Sequence, residues 1–368
     1  MMGDSSVNHV AFSGREHTEY KLKILEKYLP AWFQILQKDN ENLVYIDCYA
    51  GIGRYPDGTE GSPLRAVKIA DEASQRWNTI CWCIFNDNNP ERLEELTENI
   101  SEYENRPKLK IKMENIKAEH LVKEIIANDN LLREIGNDAP MFFFIDPLGF
   151  NVPMEMICEI LSRPKTEILL TFMIKDIERW GDTHGYQNII RRLFDLDDPQ
   201  SYIRNQQGAE TEERILRAFK QRLYEKAHTQ YIMTYKVCHE KERRTIFYMV
   251  HISTHFKAFK LMKDCMYSIG IPGVFAYLGP DHPIEGQLTL EPLLHDTEIA
   301  QLASYIFNQF NGCMVDYKMI EEVIYVNTSY ITKHCRHAMN KLEQDGKVVS
   351  FGRGKRGGIK DTTTFQFI

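Results

Sequence analysis

The sequence predicts an α/β fold: a mostly parallel, doubly wound sheet with helices on both faces, followed by a smaller helix-and-ribbon module. Three observations predict it. Apolar, strand-like runs and amphipathic stretches alternate five times between Leu43 and Met173, and each connection is long enough for a βαβ crossover. Three of the runs close on an acid, Asp47, Asp87 and Asp146, at the carboxyl strand ends where open parallel sheets bind ligands. The first run passes at once into a small-residue turn, Ala50-Gly51-Ile52-Gly53, where missing Cβ atoms permit a sharp turn and close approach of a ligand to the backbone.

The elements follow in order. His17 to Gln37 repeats apolar residues at helical spacing, with Pro30 placed to kink or split the helix. Leu43–Asp47 is the first strand. Ser62 then stands as a cap and Pro63 as the first residue of a helix reaching about Arg76. Thr79–Asn86 is the second strand and Pro90–Tyr103 a Glu-rich helix. Lys108–Met113 alternates as a third strand, and Glu119–Ile135 is helical. Met141–Ile145 is uninterrupted and apolar, as suits a strand buried on both faces. A helix over Pro153–Leu161 and a fifth strand over Glu167–Met173 follow. From Asp176 to Arg243 the pattern turns charged and mostly helical, and reads as an insertion or lid. Thr245–His251 and a helix from Thr254 to Ile269 supply one more strand–helix pair.

After a turn-rich linker the rhythm changes. Helices over Asp296–Phe310, Asp316–Ile324 and Thr328–Asp345 precede a strand over Lys347–Phe351. The basic turn Gly352-Arg353-Gly354-Lys355-Arg356-Gly357-Gly358 leads to a last strand over Thr362–Ile368. Thr328 or Ser329 is placed to cap the third helix and Gly346 to stop it. This pattern reads as a winged helix-turn-helix. Lys333, His334, Arg336, His337 and Asn340 lie around the surface of its third helix for groove contact, and Arg353, Lys355 and Arg356 offer a wing tip to phosphates. Domains are thus expected at 1–278, with the insertion at 176–243, and at 296–368, joined by a linker over 279–295.

Bulk properties agree with this division. At 368 residues the chain suggests two or three domains, and 43% hydrophobic with 11% aromatic residues supplies ample core. No apolar run reaches the roughly 18 residues of a membrane span, and the amino terminus lacks the basic and apolar regions of a signal peptide. Eight scattered cysteines form no C-x-x-C, which points to a reduced, cytoplasmic chain without a structural metal. From Thr328 onward eight bases face three acids, a surplus of five in a chain of net charge −7, which leaves −12 for the remainder. The basic module, rather than the acidic body, is suited to a polyanion such as DNA or RNA.

The stretch from Asp47 reads D-x-x-A-G-x-G, the pairing by which Rossmann-like methyltransferases hold S-adenosylmethionine (SAM). It is not the dinucleotide fingerprint, because the third glycine of G-x-G-x-x-G falls on Pro56. Together with H-T-E-Y-K-L-K-I-L-E-K-Y-L-P-A-W, Y-I-D-C-Y-A-G-I-G-R-Y, G-S-P-L, N-D-N-N-P-E-R-L-E-E-L and F-F-F-I-D-P-L-G-F, the chain resembles the three-Cys-motif partner (TcmP) family. That resemblance implies a Rossmann-like methyltransferase fold carrying a winged helix, and a partner protein bearing a three-cysteine, radical-SAM-like motif. It implies SAM as cofactor, held by Asp47, Ala50, Gly51 and Gly53, with Asp87 on the ribose hydroxyls. Asn115 stands at the third-strand turn, beside Glu114. Asp146-Pro147-Leu148-Gly149-Phe150 sits where base amino-methyltransferases carry [DN]-P-P-[YF]: Asp146 and Pro147 would meet the acceptor, and Phe150, one place late, would stack on it. Lys21 and His17 are i, i+4 on the opening helix, placed either to approach the site or, as the blander reading, on a solvated helix face.

Two other readings stay open. One is a non-catalytic nucleotide- or SAM-binding body that regulates through the DNA-binding module. The other is a scaffold for the radical-SAM-like partner.

Overall fold

The computed structural model describes residues 6–127, 129–180, 183, 185–239, 244–269, 276–277 and 291–368, with backbone alone for 6–18, 129–130, 180, 276–277 and 291–296. The described residues form two compact units, the first running to Ile269 and including 276–277, the second comprising 291–368.

In the first unit the order is α1 (Ser6–Leu36), β1 (Asn42–Asp47), α2 (Ser62–Trp77), β2 (Ile80–Asn86), α3 (Pro90–Asn99), β3 (Leu109–Glu114), α4 (Ala118–Ala127), α5 (Asp129–Ile135), β4 (Met141–Ile145), α6 (Met154–Ser162) and β5 (Thr166–Phe172). Then come α7 (Ile174–Trp180), α8 (Gln187–Phe194), α9 (Pro199–Arg204), α10 (Thr211–Ala227), β6 (Tyr231–Cys238), β7 (Thr245–Ser253), α11 (Phe256–Ile269) and β8 (Ala276–Tyr277). The sheet order is β3-β2-β1-β4-β5-β7-β6-β8. Strands β1 to β5 are mutually parallel, and β7 runs antiparallel to β5 and β6. This mostly parallel sheet fits a doubly wound, Rossmann-like architecture. The apolar β4 and the seven residues of β5 are buried throughout, as strands covered on both faces must be. Adjacent strands β1 and β4 lead their crossovers in opposite directions, which opens a crevice beyond their carboxyl ends.

Several sequence expectations are corrected here. Pro30 neither splits α1 nor ends it. Tyr28, Leu29, Trp32 and Phe33 are buried around it, and that burial outweighs the one hydrogen bond that proline removes. The expected Glu-rich helix ends at Asn99, and a 3₁₀ turn covers Ser101–Tyr103. The stretch 176–243 is not simply a helical insertion. Its last part, β6, is a strand of the central sheet, and α10 packs into the core, where Phe219 stacks on Phe172 with ring centroids 4.4 Å apart. Ser62 is not the cap of α2: Gly61 occupies that position.

The second unit holds α12 (Glu291–Phe310), β9 (Met314–Asp316), α13 (Tyr317–Asn327), α14 (Thr332–Gln344), β10 (Val348–Phe351) and β11 (Thr364–Phe367). Its antiparallel sheet is ordered β10-β11-β9. The three helices and the sheet share one core that includes Leu302, Ile306, Ile320, Ala338, Met339 and Phe365. Strand β9 was not expected from the sequence. Helix α14 begins at Thr332, after Ile331 as cap, rather than at Thr328 or Ser329. Of the linker expected over 279–295, residues 279–290 lie outside the described residues and 291–295 are already helical.

Candidate functional site

The turns after β1, β2 and β4 enclose a cleft of about 520 Å³. It is lined by Tyr49 to Tyr55, Gly61, Ser62, Asp87, Asn88, Arg92, Asp146 to Leu148 and Asn151. Its size lies within the range of small-molecule sites.

Side-chain amides and carboxylates tie these turns together. Asp87, at the end of β2, accepts from the Gly51 N–H at 3.0 Å and from the Asn89 N–H at 2.9 Å. Arg92 stands 3.9 Å from the same carboxylate. The buried Asn86 amide donates to the Cys48 carbonyl (3.0 Å) and accepts from the Ile116 N–H (3.2 Å), which joins the turns after β1, β2 and β3. Asn89 caps α3 by accepting from the N–H groups of Glu91 and Arg92.

The two glycines of the turn do different work. Gly51 has φ +63°, and a Cβ built there would meet nothing within 4 Å. The position borders the cleft, so its bare Cα leaves room over the backbone. Gly53 has φ +76°, and a Cβ would fall 2.5 Å from side-chain carbons of both Leu64 and Leu96. That glycine lets α2 and α3 close over the turn.

Asp47 is fully buried and is not among the residues lining the cleft. It accepts from Ser62 Oγ (2.7 Å), the Tyr49 N–H (3.2 Å) and Tyr45 Oη (3.3 Å). Burial pushes its carboxyl up to about 7, against the opposing pull of the Ser62 and Tyr49 hydrogen bonds. The Ser62 hydroxyl, expected as a helix cap, is spent on this carboxylate.

The remaining sequence candidates separate. Ala50, Gly51, Gly53, Asp87, Asp146 and Pro147 border the cleft together. Asn115 does not: it is exposed, and its amide donates to the Asp87 carbonyl at 2.7 Å. Phe150, expected to stack on an acceptor, is buried and packs on Tyr186 at 5.8 Å. A turn through Gly149, φ +95°, separates it from Asp146. The aromatic rings that border the cleft are Tyr49 and Tyr55, and Leu148 stands 86% exposed at its lip. Lys21 is not on a solvated face: its Nζ lies 2.6 Å from Asp146 Oδ2. The side chain of His17 lies outside the described residues.

In the second unit, Lys333, Arg336, His337 and Asn340 are exposed at i, i+3, i+4 and i+7, a single face of α14. His334 is buried, and its ring accepts from the Ile331 N–H at 3.2 Å. Lys355 and Arg356 are exposed in the glycine-rich turn between β10 and β11. Arg353 is engaged within the protein. It donates to Ser350 Oγ (2.8 Å), the Gly357 carbonyl (2.7 Å), Asn340 Oδ1 (3.1 Å) and Glu343 Oε2 (2.5 Å).

The chain is similar to several solved structures. One is the O-methyltransferase TomG from Streptomyces achromogenes, involved in tomaymycin synthesis and solved with SAM (11% identity over 69% of this chain and 92% of that one, TM-score 0.34). Another is the O-methyltransferase from Bacillus cereus solved with S-adenosylhomocysteine (SAH; 12% identity, 69% and 93%, TM-score 0.32). A third is TrmK of M. capricolum, also with SAH (11% identity, 84% and 96%, TM-score 0.26). No protein-family model matches the sequence, and no curated protein matches it. Among the described residues no group of His, Cys, Asp and Glu is arranged to hold a metal ion, and no helix is long and apolar enough to cross a membrane.

Proposed function

We propose that the first unit is a SAM-dependent methyltransferase acting on nucleic acid, which the second unit, a winged helix, delivers. The observation that carries this reading is the cleft beyond β1, β2 and β4, with an open glycine cradle at Gly51 and the buried Asp87 beside it. SAM suits these residues. Ala50, Gly51 and Gly53 leave the backbone bare for it, and Asp87 would accept from its ribose hydroxyls. Asp47 and Asn115 act indirectly, Asp47 by fixing Ser62 and Tyr49, Asn115 by fixing the Asp87 backbone. When bound, the sulfonium supplies an already activated methyl group, so the protein's work is alignment and exclusion of water. Asp146 and Pro147 border the acceptor end. The exposed face of α14, with Lys355 and Arg356, forms the basic footprint for DNA or RNA. In keeping with the resemblance to the TcmP family, a three-Cys-motif protein is the proposed partner. The eight free cysteines suit the reducing cytoplasm.

One observation favours the non-catalytic alternative: Phe150 is committed to the core, so the expected stacking aromatic is missing from the acceptor end. Calorimetric titration with SAM and SAH, on wild type and Asp87→Asn, tests the reading, with labelled methyl transfer onto total tRNA, ribosomal RNA and duplex DNA. Micromolar binding weakened at least tenfold by Asp87→Asn, with transfer to one of the three, is the expected result. Binding without transfer supports the regulatory alternative, and absence of binding in the wild type overturns the methyltransferase reading.

A further inference from the structure

Helix α1 precedes the βαβ core, yet three polar side chains on one of its faces reach functional or buried partners. Lys21, Tyr28 and Trp32 are spaced i, i+7 and i+11, which a helix places on one side. Tyr28 Oη donates to Glu167 Oε2, and Trp32 Nε1 donates to Glu167 Oε1 at 2.9 Å. Glu167 lies on β5, and the same carboxylate meets His251 Nε2 of β7 at 3.0 Å. On the other side, Arg65 of α2 binds Glu19 (2.9 Å) and Glu26 (3.1 Å) of α1. A buried carboxylate with this many donors holds its partners in fixed register. The helix is therefore fixed to the sheet and to α2 before Lys21 is considered.

Lys21 is delivered to Asp146 by that anchoring. Its Nζ lies 2.6 Å from Oδ2 and 5.6 Å from the ring centre of Phe247 on β7. The two charged side chains are only 12% and 23% exposed, so the pair is screened less than a surface pair. Asp146 Oδ1 accepts no hydrogen bond from the described residues, although the carboxylate borders the cleft.

We propose that Lys21 is the positioning residue of the acceptor end of the cleft: it holds Oδ2 of Asp146 and so presents Oδ1 to a methyl acceptor that donates an N–H or O–H. The assignment rests on the methyltransferase reading. It makes α1 part of the site, and it makes the acceptor a neutral amine or hydroxyl, since a carboxylate held this way repels an anionic one.

Two experiments test it. Carbodiimide treatment of the intact protein, followed by peptide mass spectrometry, should give an amide between Lys21 and Asp146 with loss of one water. Lys21→Arg, which has no amine to couple, should abolish that product. In parallel, SAH affinity and labelled methyl transfer to total tRNA, ribosomal RNA and duplex DNA are measured for wild type, Lys21→Met and Lys21→Arg. Lys21→Met should keep SAH affinity within threefold of wild type, which also shows that it folds, and should lose at least tenfold in kcat/KM. Lys21→Arg, which keeps the cation, should recover to within threefold of wild type. A missing cross-link, or a Lys21→Met variant within twofold of wild type, overturns the proposal. A wild type that fails to bind SAH, or that binds it yet methylates none of the three probes, instead overturns the methyltransferase reading on which the assignment stands.

Discussion

At the scale of single residues, the two glycines of the first turn separate fold from ligand. Gly53→Ala places a Cβ against Leu64 and Leu96 at a left-handed φ. Overpacking and backbone strain together should lower unfolding free energy by about 2–4 kcal/mol. Gly51→Ala carries only the backbone strain, about 1–2 kcal/mol, but its methyl stands over the cleft and should weaken SAH binding. Urea denaturation and calorimetry on the two variants distinguish these effects, and equal losses of binding at equal stability would contradict the division. Asp47 makes a second prediction. Its carboxyl is raised by burial from 3.8 to about 7 in the folded protein. The folded state thus binds the proton more tightly than the unfolded state. The resulting stability is complete below the unfolded value and is lost as pH rises through about 7, at no more than about 1.4 kcal/mol per pH unit. Asp47→Asn should flatten the pH dependence of unfolding between about pH 4 and 7. A slope unchanged by the substitution would mean that Asp47 does not titrate in this window.

At the scale of elements, the turn after β10 contains bases of two kinds. Arg353 fastens the turn to α14 through Asn340 and Glu343, so Arg353→Ala should destabilise the second unit by about 1–2 kcal/mol. Lys355→Ala and Arg356→Ala should leave stability within about 0.5 kcal/mol. Each should weaken nucleic-acid binding and reduce the slope of log affinity against log salt by roughly one. Thermal denaturation and binding at several salt concentrations check both halves. The same contrast shows what the sequence could convey. Clustered bases are visible in Gly352 to Gly358, but which one is consumed by Glu343 depends on how the turn folds back on α14. Strands β1 and β4 were legible because burial on both faces demands unbroken apolar runs. Strand β6 was hidden among charged helices, although Met233, Tyr235 and Val237 alternate inward. The acids at three strand ends were legible as a set. That Asp47 would sink below the cleft, that Phe150 would turn into the core and that Lys21 would meet Asp146 depended on contacts across 125 residues for the last of these, beyond any local pattern.

At the scale of the whole molecule, the chain has two compact units and one built-in reporter. Trp32, Trp77, Trp82 and Trp180 all fall in the first unit, and the second has none. Tryptophan fluorescence therefore follows the first unit alone, whereas far-ultraviolet circular dichroism follows both. Two units with separate hydrophobic cores have no reason to unfold at one temperature. Heating should give a circular dichroism profile with a component that fluorescence lacks. A ligand that binds only folded protein raises the stability of the unit that holds it by about 2.7 kcal/mol at one hundred times its dissociation constant. SAH should therefore move the fluorescence transition upward and leave the extra dichroism component in place. Duplex DNA or RNA should do the reverse, since the stretch with a surplus of five bases, from Thr328 onward, lies within the second unit. If SAH moved both components equally, the two units would be unfolding as one, and cofactor and nucleic acid would share a single thermodynamic body.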